Sequence, residues 1–338
     1  MIGGIFRYNK GFHFESGGYL DELEIAYHHT DNFSTEKKVI WICHALTANS
    51  NPEEWWNGLV GEKKLFDTDK YYIICANMIG SCYGSTGPST IGPSGKPYML
   101  SFPQVTVRDI VIAHNLLRVE LGIEQIDLVA GGSIGGFQTL EWGILFPDVV
   151  KNLLVIACNA RISPWGAAYN ESQRMALYAD YTFTEQKSIR GGDSGLRAAR
   201  SVALISYRSF NGYSQTQSDD DEDTLFANRA CNYQQYQGRK LSERFDAYSY
   251  LTLTRTVDSH NLGRGRGGVE KALGLIKANT IIVGIDSDNL FPLEEQTFLH
   301  KKIKKSKFEL LESRWGHDGF LLEWEQTTEI VKRHINFI

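Results

Sequence analysis

The sequence is short of several things, and each shortage removes a class of function. Its five cysteines, Cys43, Cys75, Cys82, Cys158 and Cys231, are odd in number and scattered, with no CxxC pair among them. Most lie in apolar runs such as VIWIC and YYIIC, which predicts buried reduced thiols in a cytoplasmic protein and no disulfide framework. There is no HExxH helix either, so no metal is expected. An excess of one charge is also missing: 35 basic against 40 acidic residues leave a formal net charge of -5. No strong field then favours nucleic acid or an anionic membrane, and an anionic substrate must be held by local groups. No apolar run approaches the ~18 residues of a membrane span. The opening MIGGIFRYNKGFHFESGG has no basic stretch leading into an apolar one. The chain is read as soluble and unexported, and it shows no internal repeat.

What is present suits a sizeable core. At 338 residues the chain has room for two domains, or for one large core with an insertion. Short apolar runs, VIWIC (39–43), YYIICAN (71–77), IDLVA (126–130), LLVIACNA (153–160) and TIIVGI (280–285), predict strands buried on both faces. TVRDIVIAHNLLRVEL (106–121) places Val107, Ile110, Val111, His114, Leu117 and Leu121 at helical spacing. This alternation predicts an α/β fold with a mostly parallel central sheet. From 161 to 263, helix-like stretches such as SGLRAARSVALISYR replace the apolar strands. That change predicts a helical lid domain, 161–263, inserted into a core made of 1–160 and 264–338. The acidic run QSDDDED (217–223) reads as a solvated loop, and GRGRGG (263–268) as a turn.

One motif carries chemistry. Gly131, Ser133 and Gly135 fill GxSxG between the strand-like IDLVA and the helix-like IGGFQTLEW, the context of the nucleophile elbow in α/β-hydrolase folds. The small neighbours admit a sharp turn that exposes the serine. The spacing is neither GxGxxG nor a Walker sequence, which argues against a phosphate loop. A serine hydroxyl needs a histidine base and a carboxylate to orient it, and this fold supplies them in the order serine, acid, histidine. Of nine histidines, only His260, His300, His317 and His334 follow Ser133. His317, in a glycine-flanked loop after the strand-like FELLE, is the best placed. Asp286 and Asp288, in GIDSDNLFP after TIIVGI, are both candidates for the acid. The oxyanion hole is expected from the Ile134 amide and from the loop HALTANSN, with Leu46 as donor and His44 as a brace.

The segments HALTANS, EWWNGLVG, GSCYGSTGPSTIGPSGKPY, FPQVTVRDIV, GGSIGGFQTLEW, DSHNLGRGRGG, GIDSDNLFP and GHDGFLLE occur in order between residues 40 and 323. Together they resemble the homoserine O-acetyltransferases, α/β-hydrolase-fold acyltransferases of methionine biosynthesis. The resemblance implies an acylated Ser133, Asp288 as the acid in SDxLFP and His317 as the base in GHD. It further implies that Arg200, in GLRAAR, binds the homoserine carboxylate with Tyr207 beside it, and that Asp318 binds the amine. Acetyl-CoA is then a co-substrate and no cofactor is required; the partners are acyl-CoA and L-homoserine, and a homodimer through the lid helices is expected. Family relatives that use succinyl-CoA or serine, and esterases with the same triad, define the alternatives. The oxyanion loop departs from the family's HALTG pattern, with Ala48 and Asn51 where a glycine and a histidine are usual, and Ile134 replaces a methionine.

Overall fold

The computed structural model describes residues 1–31, 33–34 and 36–338. Its centre is an eight-stranded sheet. In chain order the strands are β1 (Ile2–Tyr8), β2 (Leu23–His29), β3 (Val39–Cys43), β4 (Tyr72–Ala76), β5 (Leu128–Gly132), β6 (Asn152–Ile156), β7 (Asn279–Ile285) and β8 (Ser306–Leu311). They lie in the order β1-β2-β4-β3-β5-β6-β7-β8. The pairings of β2 with β1 and β4 are antiparallel, and every pairing from β4 to β8 is parallel.

The apolar runs are buried on both faces because each strand feeds two cores. In β3, Val39, Trp41 and Cys43 join the cluster under α1 (Val107–Glu120) and α2 (Ile134–Leu145), while Ile40 and Ile42 pack with Trp56, Leu59, Ile330 and Val331 on the opposite side. Helix α1 starts where the sequence predicts. The Thr106 and Asp109 side chains cap each other's backbone amides in a reciprocal box.

Two differences from the sequence reading have physical causes. The run IDLVA (126–130) predicts a strand, but β5 occupies 128–132. At its start the Asp127 carboxylate takes the Val39 amide at 3.0 Å and lies within 3.5 Å of Lys38 and 3.0 Å of Lys151, so the ladder begins later. At its end, Gly131 and Gly132 pair with Cys43 and Ile156. The antiparallel pair β1 and β2 is not foreseen, because a half-exposed, glycine-bearing edge such as IGGIFRY shows no continuous apolarity.

Between β6 and β7 the chain forms α3 (Pro164–Ala179), α4 (Asp193–Tyr207), α5 (Phe210–Gln217), α6 (Asn228–Ser242) and α7 (Ala247–Asp258), with no sheet strand among them. QSDDDED leaves α5 as an exposed loop. GRGRGG is a turn with ionic anchors. Arg264 pairs with Glu15 at 2.7 Å, and Arg266 clasps the buried Glu141 through two hydrogen bonds of 2.9 and 2.7 Å. A carboxylate as buried as Glu141 needs such a fork, since leaving it unpaired costs about 3–5 kcal/mol.

Candidate active site

Ser133 sits between β5 and α2 with φ 58° and ψ -129°, a conformation that costs a non-glycine residue about 1–3 kcal/mol. The turn is held by its own backbone: the Ser133 amide donates to the Ile156 carbonyl at 3.0 Å, and its carbonyl accepts from the Phe137 amide at 3.1 Å. Two glycines are required by close approach. A β-carbon at Gly131 would collide with the Gly135 backbone, and one at Gly135 would collide with the Cys43 carbonyl. The second contact draws the start of α2 against the end of β3, where the loop of residues 44–51 begins.

That loop is braced as the sequence reading expects of His44. The imidazole is fully buried and lies between the Ala45 carbonyl, 2.9 Å from Nδ1, and the Met78 amide, which donates to Nε2 at 3.0 Å. Burial pushes its pKa down to about 4, so the ring is a neutral strut. A turn closed by the Ala48 amide on the Ala45 carbonyl, 3.0 Å, then carries Leu46 at its corner. Neither the Leu46 amide nor the Ile134 amide donates a hydrogen bond among the described residues. Leu46 and Ser133 line one narrow, mostly apolar cavity of about 30 Å³ together with Phe137, Ile162, Tyr207, Leu290 and Phe291. Where the family pattern has a histidine, Asn51 instead donates to Glu54 at 3.1 Å.

The two candidate aspartates differ in their surroundings. Asp288 is buried, and its Oδ1 accepts the Leu290 and Phe291 amides at 2.8 and 3.0 Å, which turns Oδ2 toward His317 Nδ1 at 2.7 Å. Asp286 faces elsewhere and accepts the Ser313 amide at 2.9 Å. His317 follows β8 in a single turn of 3-10 helix, Gly316–Asp318, and is buried among Phe291, Phe320 and Tyr207, with ring centroids 5.2, 5.5 and 5.8 Å away. Phe291 and Tyr207 also line the Ser133 cavity, and Phe320 packs so tightly on Gly132 that a β-carbon there would clash. Among the described residues His317 Nε2 has no hydrogen-bond partner; Phe291 and Tyr207 adjoin both His317 and the Ser133 cavity, but Ser133 and His317 are not bonded. Resting hydrogen bonds of this kind commonly tighten only when substrate is bound. Burial alone would lower the His317 pKa, but the Asp288 charge, its hydrogen bond and the Asp318 charge outweigh it and raise the pKa above the usual imidazole value.

The other histidines do not reach this space. His114 and His260 are fully buried, bonded to the Asn77 and Asn159 carbonyls at 3.1 and 2.8 Å, and each is pushed down to about 3 by burial. His300 meets Ser306, and His334 meets Glu309.

Arg200 and Tyr207 lie seven residues apart on α4, two helical turns along one face, with the guanidinium 5.7 Å from the phenol ring. Arg200 makes no hydrogen bond or ion pair among the described residues, so its donors remain available. Asp318 is already engaged: Arg208 Nε lies 3.0 Å from its Oδ2, without hydrogen-bond alignment. Burial raises the Tyr207 pKa, the Arg200 charge opposes this, and the Asp318 charge adds to it. One phenol therefore senses both the free cation and the carboxylate.

The helical insertion touches the loop behind each site residue. Trp165 donates to the Asn289 carbonyl at 2.9 Å beside Asp288; Ser209 donates to the Arg314 carbonyl, ahead of His317; Arg244 donates to the Thr47 carbonyl at 2.6 Å, next to Leu46. Sequence reasoning missed Arg244 entirely, because an exposed arginine after a polar helix carries no signal. It also took Leu290, Phe291 and Phe320 only as parts of motifs, although they build the walls around Ser133 and His317.

Comparisons with known proteins bear on the fold and the family. A profile described as alpha/beta hydrolase fold matches residues 38–323. A Cyclobacterium marinum protein named homoserine O-acetyltransferase is 42% identical over 332 residues, covering 97% of this chain and 93% of its own length. The crystal structure of homoserine O-acetyltransferase from Staphylococcus aureus has a TM-score of 0.82 at 28% identity and covers 99% of this chain and 96% of that one. Esterase E22 has a TM-score of 0.89 at 21% identity, covering 98% of this chain and 99% of its own, a likeness of fold alone. At such identity over nearly the full length, the chain belongs to the homoserine O-acetyltransferase family of proteins with the alpha/beta-hydrolase fold.

Proposed function

We propose that this protein is a cytoplasmic homoserine O-acetyltransferase of methionine biosynthesis, which passes an acetyl group from acetyl-CoA through Ser133 to the hydroxyl of L-homoserine. The observation that carries this reading is the 42% identity, over nearly the whole chain, to a relative bearing that name. The site supports each step. His317, held by Asp288, takes the Ser133 proton as Oγ attacks the thioester carbonyl, and the oxyanion forms against the Leu46 and Ile134 amides. The thioester bond breaks, and the thiolate leaves as CoA-SH with the proton from His317. The homoserine hydroxyl, deprotonated by the same histidine, then attacks the acyl-serine, releasing O-acetylhomoserine and restoring Ser133. Acetyl-CoA acts as co-substrate, and no cofactor is invoked.

A free Arg200 guanidinium and the Asp318 carboxylate on either side of Tyr207 suit an amino acid's two charges. Residues 161–263 act as a lid domain that keeps water from the acyl-enzyme. The small cavity supports acetyl over succinyl, because its lining offers no cation for a second carboxylate. The test is CoA release from acetyl-CoA with and without homoserine, in wild type and Arg200→Ala. Wild-type release should depend on homoserine, and the variant should need about 10²-fold more homoserine while acetylating Ser133 normally. Release that ignores homoserine would identify an esterase instead.

Exposed apolar residues of the lid, on its helices and on the loop before α6, also support a homodimer. Met175, Tyr181, Ile205, Phe210, Leu225 and Phe226 are exposed, several of them more than 70%. Sedimentation at micromolar concentration should give twice the 38.1 kDa chain mass, and a charged residue at Phe210 should weaken association; a strict monomer sinks this part.

A further inference from the structure

Arg244 follows α6 in the insertion, yet its side chain ends on the core. It donates to the Thr47 carbonyl at 2.6 Å and to the Tyr83 hydroxyl, bridging two core loops. Thr47 is the residue after Leu46, inside the turn closed from Ala48 to Ala45. The orientation of the peptide units in that turn decides where the Leu46 amide points. The loop has other anchors: His44 holds the Ala45 carbonyl, whose peptide carries the Leu46 N–H, Glu54 holds Asn49 and Asn51 at 2.7 and 3.1 Å, and Trp55 donates to the Asn49 carbonyl at 2.8 Å. These fix the first peptide of the turn and the far end of the loop. Among the described residues Arg244 is the side chain that holds the last peptide of the turn, through the Thr47 carbonyl, and it is itself steadied from behind by Tyr83, whose ring packs on Phe245 at 5.6 Å.

We propose that Arg244 is a positioning residue for the oxyanion hole: by fixing the Thr47 carbonyl it aims the Leu46 amide at the developing oxyanion on the acylated serine. The proposal rests on the Ser133 reading above. Its consequence is that the lid supplies part of the precision of the hole, although the donating amides belong to the core. An oxyanion donor acts on the transition state and not on ground-state binding, so misaiming it lowers the rate of acylation and leaves donor affinity alone. The stabilisation also does not depend on the leaving group.

The experiment measures the pre-steady-state rate of Ser133 acetylation by acetyl-CoA and by 4-nitrophenyl acetate, which has no phosphates, in wild type, Arg244→Ala, Arg244→Lys and Tyr83→Phe. Arg244→Ala should slow acetylation about 10–10²-fold with both donors, at unchanged half-saturation for acetyl-CoA. Arg244→Lys should recover part of the rate, since an ammonium reaches Thr47 but cannot also hold Tyr83. Tyr83→Phe should cost less than Arg244→Ala. A loss confined to acetyl-CoA with raised half-saturation would assign Arg244 to the coenzyme's phosphates and overturn the proposal. So would an unchanged rate, or a loss that Lys does not relieve and that accompanies a collapse of the unfolding midpoint. If wild type itself is not acetylated by either donor, it is the Ser133 reading that fails.

Discussion

Ser133→Ala is expected to lower turnover by about 10⁵–10⁶-fold and to abolish the acetyl adduct seen by intact-protein mass after incubation with acetyl-CoA. No neighbouring group can stand in for it. Ser206, on the same cavity, is buried and spends its hydroxyl on the Ala203 carbonyl at 2.7 Å. Burial keeps the Tyr207 phenol protonated. The loss should also be purely chemical. The strained turn is held by the backbone bonds to Ile156 and Phe137, which alanine retains, so the unfolding midpoint should move little. An adduct of acetyl mass persisting in the variant would place the nucleophile elsewhere.

Asp288→Asn is expected to cost about 10⁴-fold, for a reason visible in the hydrogen bonds. The Leu290 and Phe291 amides demand an acceptor at Oδ1, so an asparagine there must turn its oxygen to them and its NH₂ toward His317 Nδ1. The ring then carries its proton on Nε2, the nitrogen otherwise left for the Ser133 proton in the proposed mechanism, and cannot act as base. The pH profile adds a second test. Because the His317 pKa is raised, wild-type kcat/KM should be present at high pH and lost as pH falls through a value above the ordinary ~6.5 of imidazole. Removing the Asp288 charge leaves burial dominant, so the acid limb of the residual activity should move to lower pH. A limb that stays in place would show that another group controls it.

The sheet and the elbow were legible in the sequence because both are written locally. VIWIC is apolar at every position and TIIVGI at every position after Thr280, since both faces of their strands are covered, and GGSIGG has no side chains where α2 meets β3. The partner of His317 was harder to read, because Asp286 and Asp288 share one loop and only the direction of each carboxylate distinguishes them. The β1 and β2 edge left no signal, its half-exposed residues being indistinguishable from a polar loop. Contacts across the chain were invisible for a further reason. The bond from Arg244 to Thr47 joins residues 197 positions apart, and nothing in either local sequence anticipates it.

The three bonds from the insertion to the loops of Leu46, Asp288 and His317 also bear on how such a protein can change over evolutionary time. One contiguous segment is answerable to three separate stretches of the core, so a helix that drifts to admit a new acceptor disturbs the loops of Leu46, Asp288 and His317 together. Exchange of the whole segment between relatives is then a single all-or-nothing step unless those loops travel with it. The outward face of the same helices answers to none of these three loops and is constrained only by the dimer contact proposed above.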